Sequence, residues 1–202
     1  MKKEILRKIF HIFSILFLLI PLHFFGKYFI TTLMIFMLII FYPISKYKVK
    51  NRFTFLFWKL LNYIEREKNM EILPARQAFS LAISLIFVSI FFDEKILSIS
   101  IISIAVFDGI ATITGKYFGK VKLFGKKTLE GTLGGFIANS FALYIFLSDF
   151  WVSVLISIFV ATVEIYSSDD DIFTDDNFTI PIATAFFSWF LFLYLKGLGI
   201  YP

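Results

Sequence analysis

Apolar residues are concentrated in seven long segments of the chain, and polar stretches separate them. The segments cover roughly residues 9–25, 28–44, 75–92, 94–114, 132–147, 150–166 and 178–195. A helix needs about 20 apolar residues to cross the hydrocarbon core of a bilayer, with a lower limit of about 17. The pattern therefore predicts an all-α polytopic membrane protein with about seven transmembrane helices in one domain, residues 1–202. Because the shorter segments lie near the lower limit, one pair of them could be re-entrant.

The polar stretch between the second and third segments has a helical pattern of its own. In residues 51–68, apolar and charged side chains alternate at helical spacing, which is typical of an amphipathic helix that lies in the membrane interface. We expect its Phe and Trp side chains to enter the headgroup boundary, and Lys59, Arg66 and Lys68 to face anionic lipid. A structural linker helix explains the same pattern equally well.

Composition supports a lipid environment and excludes several other classes of protein. Hydrophobic residues make up 58% of the 202 residues, and 29 of these are Phe, which is more apolar surface than a soluble domain of this size buries. The absence of Cys excludes disulfides and thiolate metal sites. Nothing in the chain resembles a nucleic-acid-binding module, so we expect no nucleic acid partner. A homodimer is left open as the oligomeric state.

Basic residues are distributed unevenly between the connecting segments. Seventeen of the twenty Lys and Arg residues lie at the N-terminus, between the second and third apolar segments, or after the fourth. All three regions fall on one side of a seven-span bundle, and the positive-inside rule assigns that side to the cytoplasm. The prediction is therefore a multi-pass protein of the cell membrane with a cytoplasmic N-terminus. The net charge of +5 then reflects topology and an anionic ligand.

The first polar cluster stands at the entry to the first apolar segment. Glu4, Arg7, Lys8 and His11 are spaced i, i+3, i+4 and i+7, which places all four on one face of a helix. A positive-inside anchor with a Glu4–Lys8 pair would explain the first three residues. His11 lies a turn further into apolar sequence, where it has no obvious structural reason.

The second cluster runs from Asp108, an acid inside an apolar segment, into a loop with five lysines and several glycines. An acid at membrane depth is costly and usually faces a cavity, a partner or a cation. The loop contains GKKT, but its spacing and its flanking apolar spans do not match a phosphate-binding P-loop. Lys127 and Thr128 nevertheless precede a helix N-terminus, which favours an anion. Gly131 and Gly135 form a small-xxx-small pair, for which close helix packing is the better explanation.

The third cluster consists of Glu164, near the end of an apolar segment, and an acidic loop that follows it. The three Asp residues at 169–171 fit a solvated loop. Glu164 and Asp176 could instead join Asp108 around a divalent cation, because Mg²⁺ is usually bound through one or two carboxylates together with nucleotide phosphates. All three clusters fall on the predicted cytoplasmic side, so we expect one shared site at the membrane surface.

Together, the clusters resemble the CTP-dependent lipid-alcohol kinases, a group that includes dolichol kinase, phytol kinase and the CTP-dependent diacylglycerol kinase. Four motifs carry the resemblance in the expected order and cover nearly the whole chain. They are E-x-x-R-K-x-x-H (Glu4, Arg7, Lys8, His11), D-x-x-A-x-x-x-G-x-x-x-G-K (Asp108, Ala111, Gly115, Gly119, Lys120), K-T-x-E-G (Lys127, Thr128, Glu130, Gly131) and E…D-N-x-x-x-P (Glu164, Asp176, Asn177, Pro181).

The resemblance implies an activity and a set of residue roles. The γ-phosphoryl group of CTP would pass to the hydroxyl of a membrane lipid alcohol (a polyprenol, phytol or geranylgeraniol type, or diacylglycerol) at the cytoplasmic face. Arg7 and Lys8 would stabilise the transferring phosphoryl group or hold the leaving nucleotide, and the general base would be His11 or Asp176. The implied ligands of Mg²⁺, or of another divalent cation, are Asp108, Glu164 and Asp176. The implied contacts to CTP are Gly115, Gly119, Lys120, Lys127, Thr128, Glu130, Gly131 and Asn177.

Two other functions must be weighed against the kinase. CDP-lipid synthases share the middle motifs and use CTP as a nucleotidyl donor, but they typically carry a C-terminal K-R pair and an H-G-G-x-x-D-R signature. Here the last arginine is Arg76 and the C-terminal half contains no His, which argues against a synthase. A transporter with intramembrane acids would distribute its charges over both halves of the bilayer, in contrast to the one-sided distribution seen here.

Overall fold

The computed structural model describes residues 2–65, 67–168 and 171–199, and within these ranges the chain is all-helical. The side chains of Lys2, Lys3 and Lys68, together with Arg66, Asp169 and Asp170, lie outside the described part of the chain. The helices are α1 (Lys2–Leu16), α2 (Leu19–Phe25), α3 (Lys27–Lys46), α4 (Phe55–Ile64), α5 (Glu67–Ile72), α6 (Arg76–Phe91), α7 (Glu94–Ser103), α8 (Gly109–Phe118), α9 (Leu129–Leu147), α10 (Phe150–Tyr166) and α11 (Asp176–Gly197).

Every apolar segment that the sequence predicts is helical. Among the described residues, four helical stretches are long and apolar enough to cross a membrane: Glu4–Phe25, Lys27–Lys46, Glu94–Phe118 and Asp176–Gly197. The remaining three predicted spans correspond to α6, α9 and α10, of which α6 and α10 are apolar helices of only 16 and 17 residues. An all-helical fold with helices long and apolar enough to cross a membrane is therefore confirmed, whereas the count of seven spans and the cytoplasmic N-terminus stay predictions.

Short polar side chains mark where several of these helices begin. The side chains of Asp93, Asp149 and Asp175 each accept a hydrogen bond from a backbone N–H in the first turn of α7, α10 and α11 respectively. Thr128 does the same for α9, because its hydroxyl oxygen accepts from the Gly131 N–H at 3.2 Å. Such caps satisfy N–H groups that have no partner within the helix, so the helix starts follow from the local sequence.

The stretch Glu94–Phe118 forms the centre of the bundle. Its apolar window is 72% buried, compared with 17% for α3, and side chains such as Ile99, Ile104 and Phe107 are fully enclosed. A helix that is apolar on all sides is expected in the interior of a bundle. Large apolar side chains on the outer helices, such as Phe13 and Phe36, are exposed instead, as is usual for surfaces that face lipid.

A π-helical turn interrupts this central helix at Ile104–Asp108, directly before α8. The helix then continues for the 10 residues of α8, which corresponds to about 15 Å of further rise. Asp108 therefore lies well inside the helix, as expected for an acid inside an apolar segment. Turns of this kind occur mostly as single interruptions of α-helices, often at functional sites.

The predicted interfacial helix corresponds to α4, with α5 following it. Trp58 and Leu61 on α4 are buried and pack with Phe79, and the Trp58 indole N–H donates to the Val49 carbonyl at 2.7 Å. The expectation that Trp58 enters the headgroup boundary is therefore wrong, because this side chain fills a small protein core. Phe53, which precedes the helix, is 96% exposed.

Candidate active site

A cavity of about 360 Å³ lies between α1, α6, α8, α9, α10 and the start of α11. Pockets for small molecules generally start at about 300 Å³, so the cavity is large enough to hold one. It is lined by eight of the residues that the sequence predicts for the site: Lys8, Asp108, Gly115, Lys127, Thr128, Gly131, Glu164 and Asp176. Residues more than a hundred positions apart in the chain thus meet at one place.

On one side of the cavity, α1 meets the central helix through a buried ion pair. The Lys8 ammonium lies 2.5 Å from Asp108 Oδ2, and His11 Nε2 lies 3.1 Å from the same oxygen. Thr112 Oγ1, one turn further along α8, is 3.4 Å from Asp108 Oδ1. The predicted face of α1 therefore points at Asp108, and His11 has the structural partner that the sequence did not reveal.

Arg7, the neighbour of Lys8, is held just outside the cavity. Its guanidinium donates to Glu4 Oε1 and to Gln77 Oε1, both at 2.6 Å. Glu4 thus pairs with Arg7, and the Glu4–Lys8 pair considered from the sequence is not formed. Gln77, at the start of α6, lines the cavity itself, so Arg7 contacts the site through this amide.

On the other side, Lys127 lies between two carboxylates. Its ammonium is 2.8 Å from Glu164 Oε1, and it lies 2.9 and 3.1 Å from the two oxygens of Asp176. Burial disfavours the charged ammonium, but the Asp176 and Glu164 carboxylates outweigh it and raise the pKa of Lys127 above its ordinary value. Hydroxyl groups complete the cluster: Thr132 donates to Glu164 Oε2 at 3.0 Å, and Ser167 donates to Asp176.

The loop that carries Lys127 is a short hairpin closed at its base. The Leu129 N–H donates to the Val121 carbonyl, and the Lys127 N–H donates to the Phe124 carbonyl, both at 2.9 Å. Gly125 takes the left-handed conformation at the tip, with φ of 55°, which glycine adopts without strain. The loop is therefore held at both ends while its tip faces the cavity.

Two residues predicted to contact CTP have other contacts. The Glu130 carboxylate accepts the backbone N–H of Lys120 at 3.0 Å and that of Val121 at 3.2 Å. Neither Glu130 nor Lys120 lines the cavity, and the Lys120 side chain is exposed. Glu130 thus holds the base of the hairpin. A contact of these two residues with CTP stays a prediction, and the cavity lining does not support it.

The glycines of the site allow close packing of helices. A Cβ atom on Gly115 would lie 2.8 Å from Thr128 Oγ1, and one on Gly131 would lie 2.8 Å from the Ala111 carbonyl oxygen. A Cβ on Gly119 would approach the Gly115 carbonyl to 2.2 Å. These positions exclude side chains because α8 and α9 nearly touch there. A phosphate-binding role for the three glycines stays a prediction, and for Gly119 the cavity lining does not support it.

Asn177 lies behind the cavity wall and does not line it. The side-chain NH₂ group of Asn177 donates to Asp175 Oδ1 at 2.7 Å. The backbone carbonyl oxygen of Asn177 accepts from the Ser84 hydroxyl at 2.8 Å. Burial raises the pKa of Asp175 despite the hydrogen bonds from Asn177. Both residues therefore fix the first turn of α11, which carries Asp176. The contact between Asn177 and CTP stays a prediction, and the cavity lining does not support it.

The three carboxylates predicted to bind metal do not form one cluster. Within the described ranges, no three His, Asp or Glu side chains are arranged to hold a metal ion. Asp108 is paired with Lys8, whereas Glu164 and Asp176 converge on the single ammonium of Lys127. Two carboxylates that already bind one cation are a suitable donor set for Mg²⁺ when nucleotide phosphates supply the remaining oxygens. The pair Glu164 and Asp176 therefore fits such an ion, and Asp108 does not fit as the third ligand.

Sequence reasoning missed several residues that face the cavity or support its carboxylates. Thr112, Thr132 and Ser167 all bond the carboxylates described above, and Gln77 binds Arg7. A polar residue beside Arg76 at the start of an apolar helix is a weak signal that could have indicated Gln77. Single hydroxyl groups in apolar helices usually bond the backbone of their own helix, so nothing in the sequence distinguishes Thr132 from the others.

Comparison with known proteins gives one informative match. Over 129 residues, which are 63% of the chain, the sequence is 38% identical to the uncharacterized protein MJ1137 of Methanocaldococcus jannaschii. The aligned part also spans 63% of the length of that relative, and the relative's name states no activity. No family model matches the chain, and no solved structure matches it.

Proposed function

We propose that this protein is a multi-pass membrane enzyme that transfers the γ-phosphoryl group of CTP to the hydroxyl of a membrane lipid alcohol, with its site open to the cytoplasm. One observation carries the proposal: Lys8, Asp108, Lys127, Glu164 and Asp176, which come from four separate motifs, all line one cavity. A bundle of apolar helices has no structural need for five ionised groups in one place, because each is costly at membrane depth.

The chemistry of the lining suits phosphoryl transfer. That reaction needs its groups positioned in line and its phosphate charge neutralised, with little covalent participation by the protein. Lys8 supplies a buried positive charge and Lys127 a partly buried one, and Lys126 adds an exposed ammonium at the hairpin. Thr128 begins α9 at the cavity wall, so the positive end of the helix dipole also faces the phosphates. We assign the nucleotide to this side.

A divalent cation belongs on the same side, at Glu164 and Asp176. When bound, Mg²⁺ neutralises charge on the phosphate oxygens. Glu164 is also held by Thr132, and Asp176 by Ser167, so both carboxylates are fixed before any ligand binds. This pre-organisation removes part of the cost of ordering the site.

The acceptor hydroxyl then belongs on the Lys8 and Asp108 side. Both oxygens of Asp176 are engaged by Lys127, so Asp176 is a poor general base. Asp108 lines the cavity. Lys8 binds its Oδ2 at 2.5 Å, whereas its Oδ1 accepts a long bond of 3.4 Å from the Thr112 hydroxyl. We therefore assign Asp108 as the group that accepts the hydroxyl proton, at Oδ1. His11, whose Nε2 lies 3.1 Å from Oδ2 of the same carboxylate, is assigned as a positioning residue.

A release assay tests the proposal. Purified protein in detergent micelles is given CTP, ATP, GTP or UTP with a panel of polyprenol, phytol, geranylgeraniol and diacylglycerol acceptors. A kinase releases CDP and forms a phosphorylated lipid. Release of pyrophosphate from CTP and a phosphorylated lipid would instead identify a CDP-lipid synthase, and the absence of nucleotide binding and turnover would favour a transporter.

Site variants make the assay specific. Glu164→Gln should lower turnover by about a hundredfold or more, because it removes charge stabilisation at the transferring group. Lys122→Met serves as the control, because Lys122 is exposed on the same hairpin and does not line the cavity. Equal activity of both variants would contradict the assignment of the site.

A further inference from the structure

Lys127 contacts the same carboxylates that the proposed cation needs. Its ammonium makes three contacts of 2.8 to 3.1 Å with Glu164 and Asp176. The side chains of the two acids are only 5% and 12% exposed, so the oxygens have little access to water. In this state, the Lys127 ammonium neutralises the Glu164 and Asp176 carboxylates.

An ammonium and a divalent ion cannot occupy this position together. Mg²⁺ requires oxygen ligands at about 2.1 Å in a near-octahedral arrangement, and Lys127 already lies against three of the four carboxylate oxygens. Two cations within about 4 Å also repel strongly where water is scarce. Binding of the metal therefore requires that the Lys127 ammonium move.

The hairpin allows this movement without unfolding. Its base is closed by Glu130 and by the bond from Leu129 to Val121, and these contacts do not involve the Lys127 side chain. That side chain is a flexible four-carbon stem. Lys127 and the Thr128 cap of α9 both line the cavity. The Lys127 ammonium can therefore reach a phosphate group that is bound beside Thr128.

We propose that Lys127 is an internal counter-ion that occupies the position of the divalent cation in the free protein. When a metal–nucleotide complex binds, the Lys127 ammonium moves from the two carboxylates to the phosphates. The phosphate half of this inference rests on the function proposed above. It predicts an obligatory order, in which the free protein binds divalent metal weakly and nucleotide and metal enter together. It also makes Lys127 a sensor of phosphate in addition to a ligand of it.

Binding of Mn²⁺ alone, measured by electron paramagnetic resonance on the purified protein in detergent without nucleotide, tests the first half. Lys127→Met should bind Mn²⁺ about tenfold more tightly than the unmodified protein, or better, because one competing unit charge is gone. Lys122→Met removes the same charge elsewhere on the hairpin and should leave Mn²⁺ affinity unchanged. Adding Glu164→Gln to Lys127→Met should abolish the gain.

Lys127→Gln, which keeps a polar group of similar length, repeats the measurement if the Met variant does not fold. An unchanged Mn²⁺ affinity in the folded Lys127 variant, or an equal gain in Lys122→Met, would overturn the inference. The same samples are assayed for CDP release. Turnover by the unmodified protein without a gain in Mn²⁺ affinity in Lys127→Met refutes the counter-ion role alone. A gain in Lys127→Met without turnover by the unmodified protein supports that role and refutes the proposed kinase.

Discussion

Replacement of Asp108 by Asn removes the negative charge that faces Lys8 in the interior of the bundle. Both side chains are nearly inaccessible, at 3% and 4% exposure, and their charged atoms are 2.5 Å apart. The substitution leaves the Lys8 ammonium buried beside an amide that carries no charge. We therefore expect Asp108→Asn to affect folding as well as turnover, since the carboxylate has a structural partner in addition to its proposed role in proton transfer.

The expected size follows from the burial of the pair. Removing one partner of a buried ion pair costs about 3–5 kcal/mol, because the remaining charge is left uncompensated. Asn still offers an oxygen to Lys8, so we expect the lower end of that range, about 3 kcal/mol. For a protein of this length, each kcal/mol lowers the melting temperature by about 2–4 °C, which gives a decrease of about 6–12 °C.

The assay is thermal unfolding in detergent, followed by circular dichroism, for Asp108→Asn, Lys8→Met and the double variant. The double variant should recover most of the loss, because it removes both charges. The coupling between the two sites should therefore reach about 2 kcal/mol. Lys116→Met is the control, since Lys116 is 45% exposed and lies 3.6 Å from Glu4, where ion pairs contribute about 1 kcal/mol or less. Additive effects, or losses no larger than that of the control, would refute the reasoning.

Two further predictions use the same unfolding assay. Gly131→Ala should lower the free energy of unfolding by about 1–3 kcal/mol, because the added Cβ would lie 2.8 Å from the Ala111 carbonyl oxygen. Gly197→Ala should leave it unchanged, because a Cβ there would meet nothing within 4 Å. Equal effects of the two substitutions would contradict the packing argument. Trp58→Phe should cost about 1 kcal/mol through loss of its 2.7 Å indole hydrogen bond. Trp151→Phe, at a residue 73% exposed, should be neutral, and a larger loss there would count against a core role for Trp58.

The positions of the helices could be predicted because long apolar runs have few alternative structures. The spacing of Glu4, Arg7, Lys8 and His11 also predicted one functional face, and three of the four side chains contact the cavity residues Asp108 and Gln77 or line the cavity themselves. Helical periodicity alone was sufficient for this inference, because residues three and four apart share a face in any α-helix.

The partners of each charge could not be predicted in the same way. The sequence grouped Asp108, Glu164 and Asp176 as one set of metal ligands, yet they divide into two groups, one paired with Lys8 and the other with Lys127. Which lysine approaches which acid depends on how distant helices pack, and no local pattern contains that information. The contacts of Glu130 could not be predicted for a related reason: a carboxylate that binds backbone N–H groups of its own loop has no sequence signal that separates it from a ligand-binding acid.

The π-helical turn at Ile104–Asp108 has a consequence for how relatives of this protein are recognised. A turn with i to i+5 hydrogen bonds contains one residue more than an α-helical turn, and one residue rotates an α-helix by about 100°. A relative that lacks the extra residue would keep Asp108 on the same wall with one residue fewer between Ile104 and Asp108. Searches with a gap-free pattern across the central helix would then lose such proteins, and an alignment that permits a single deletion before Asp108 would recover them.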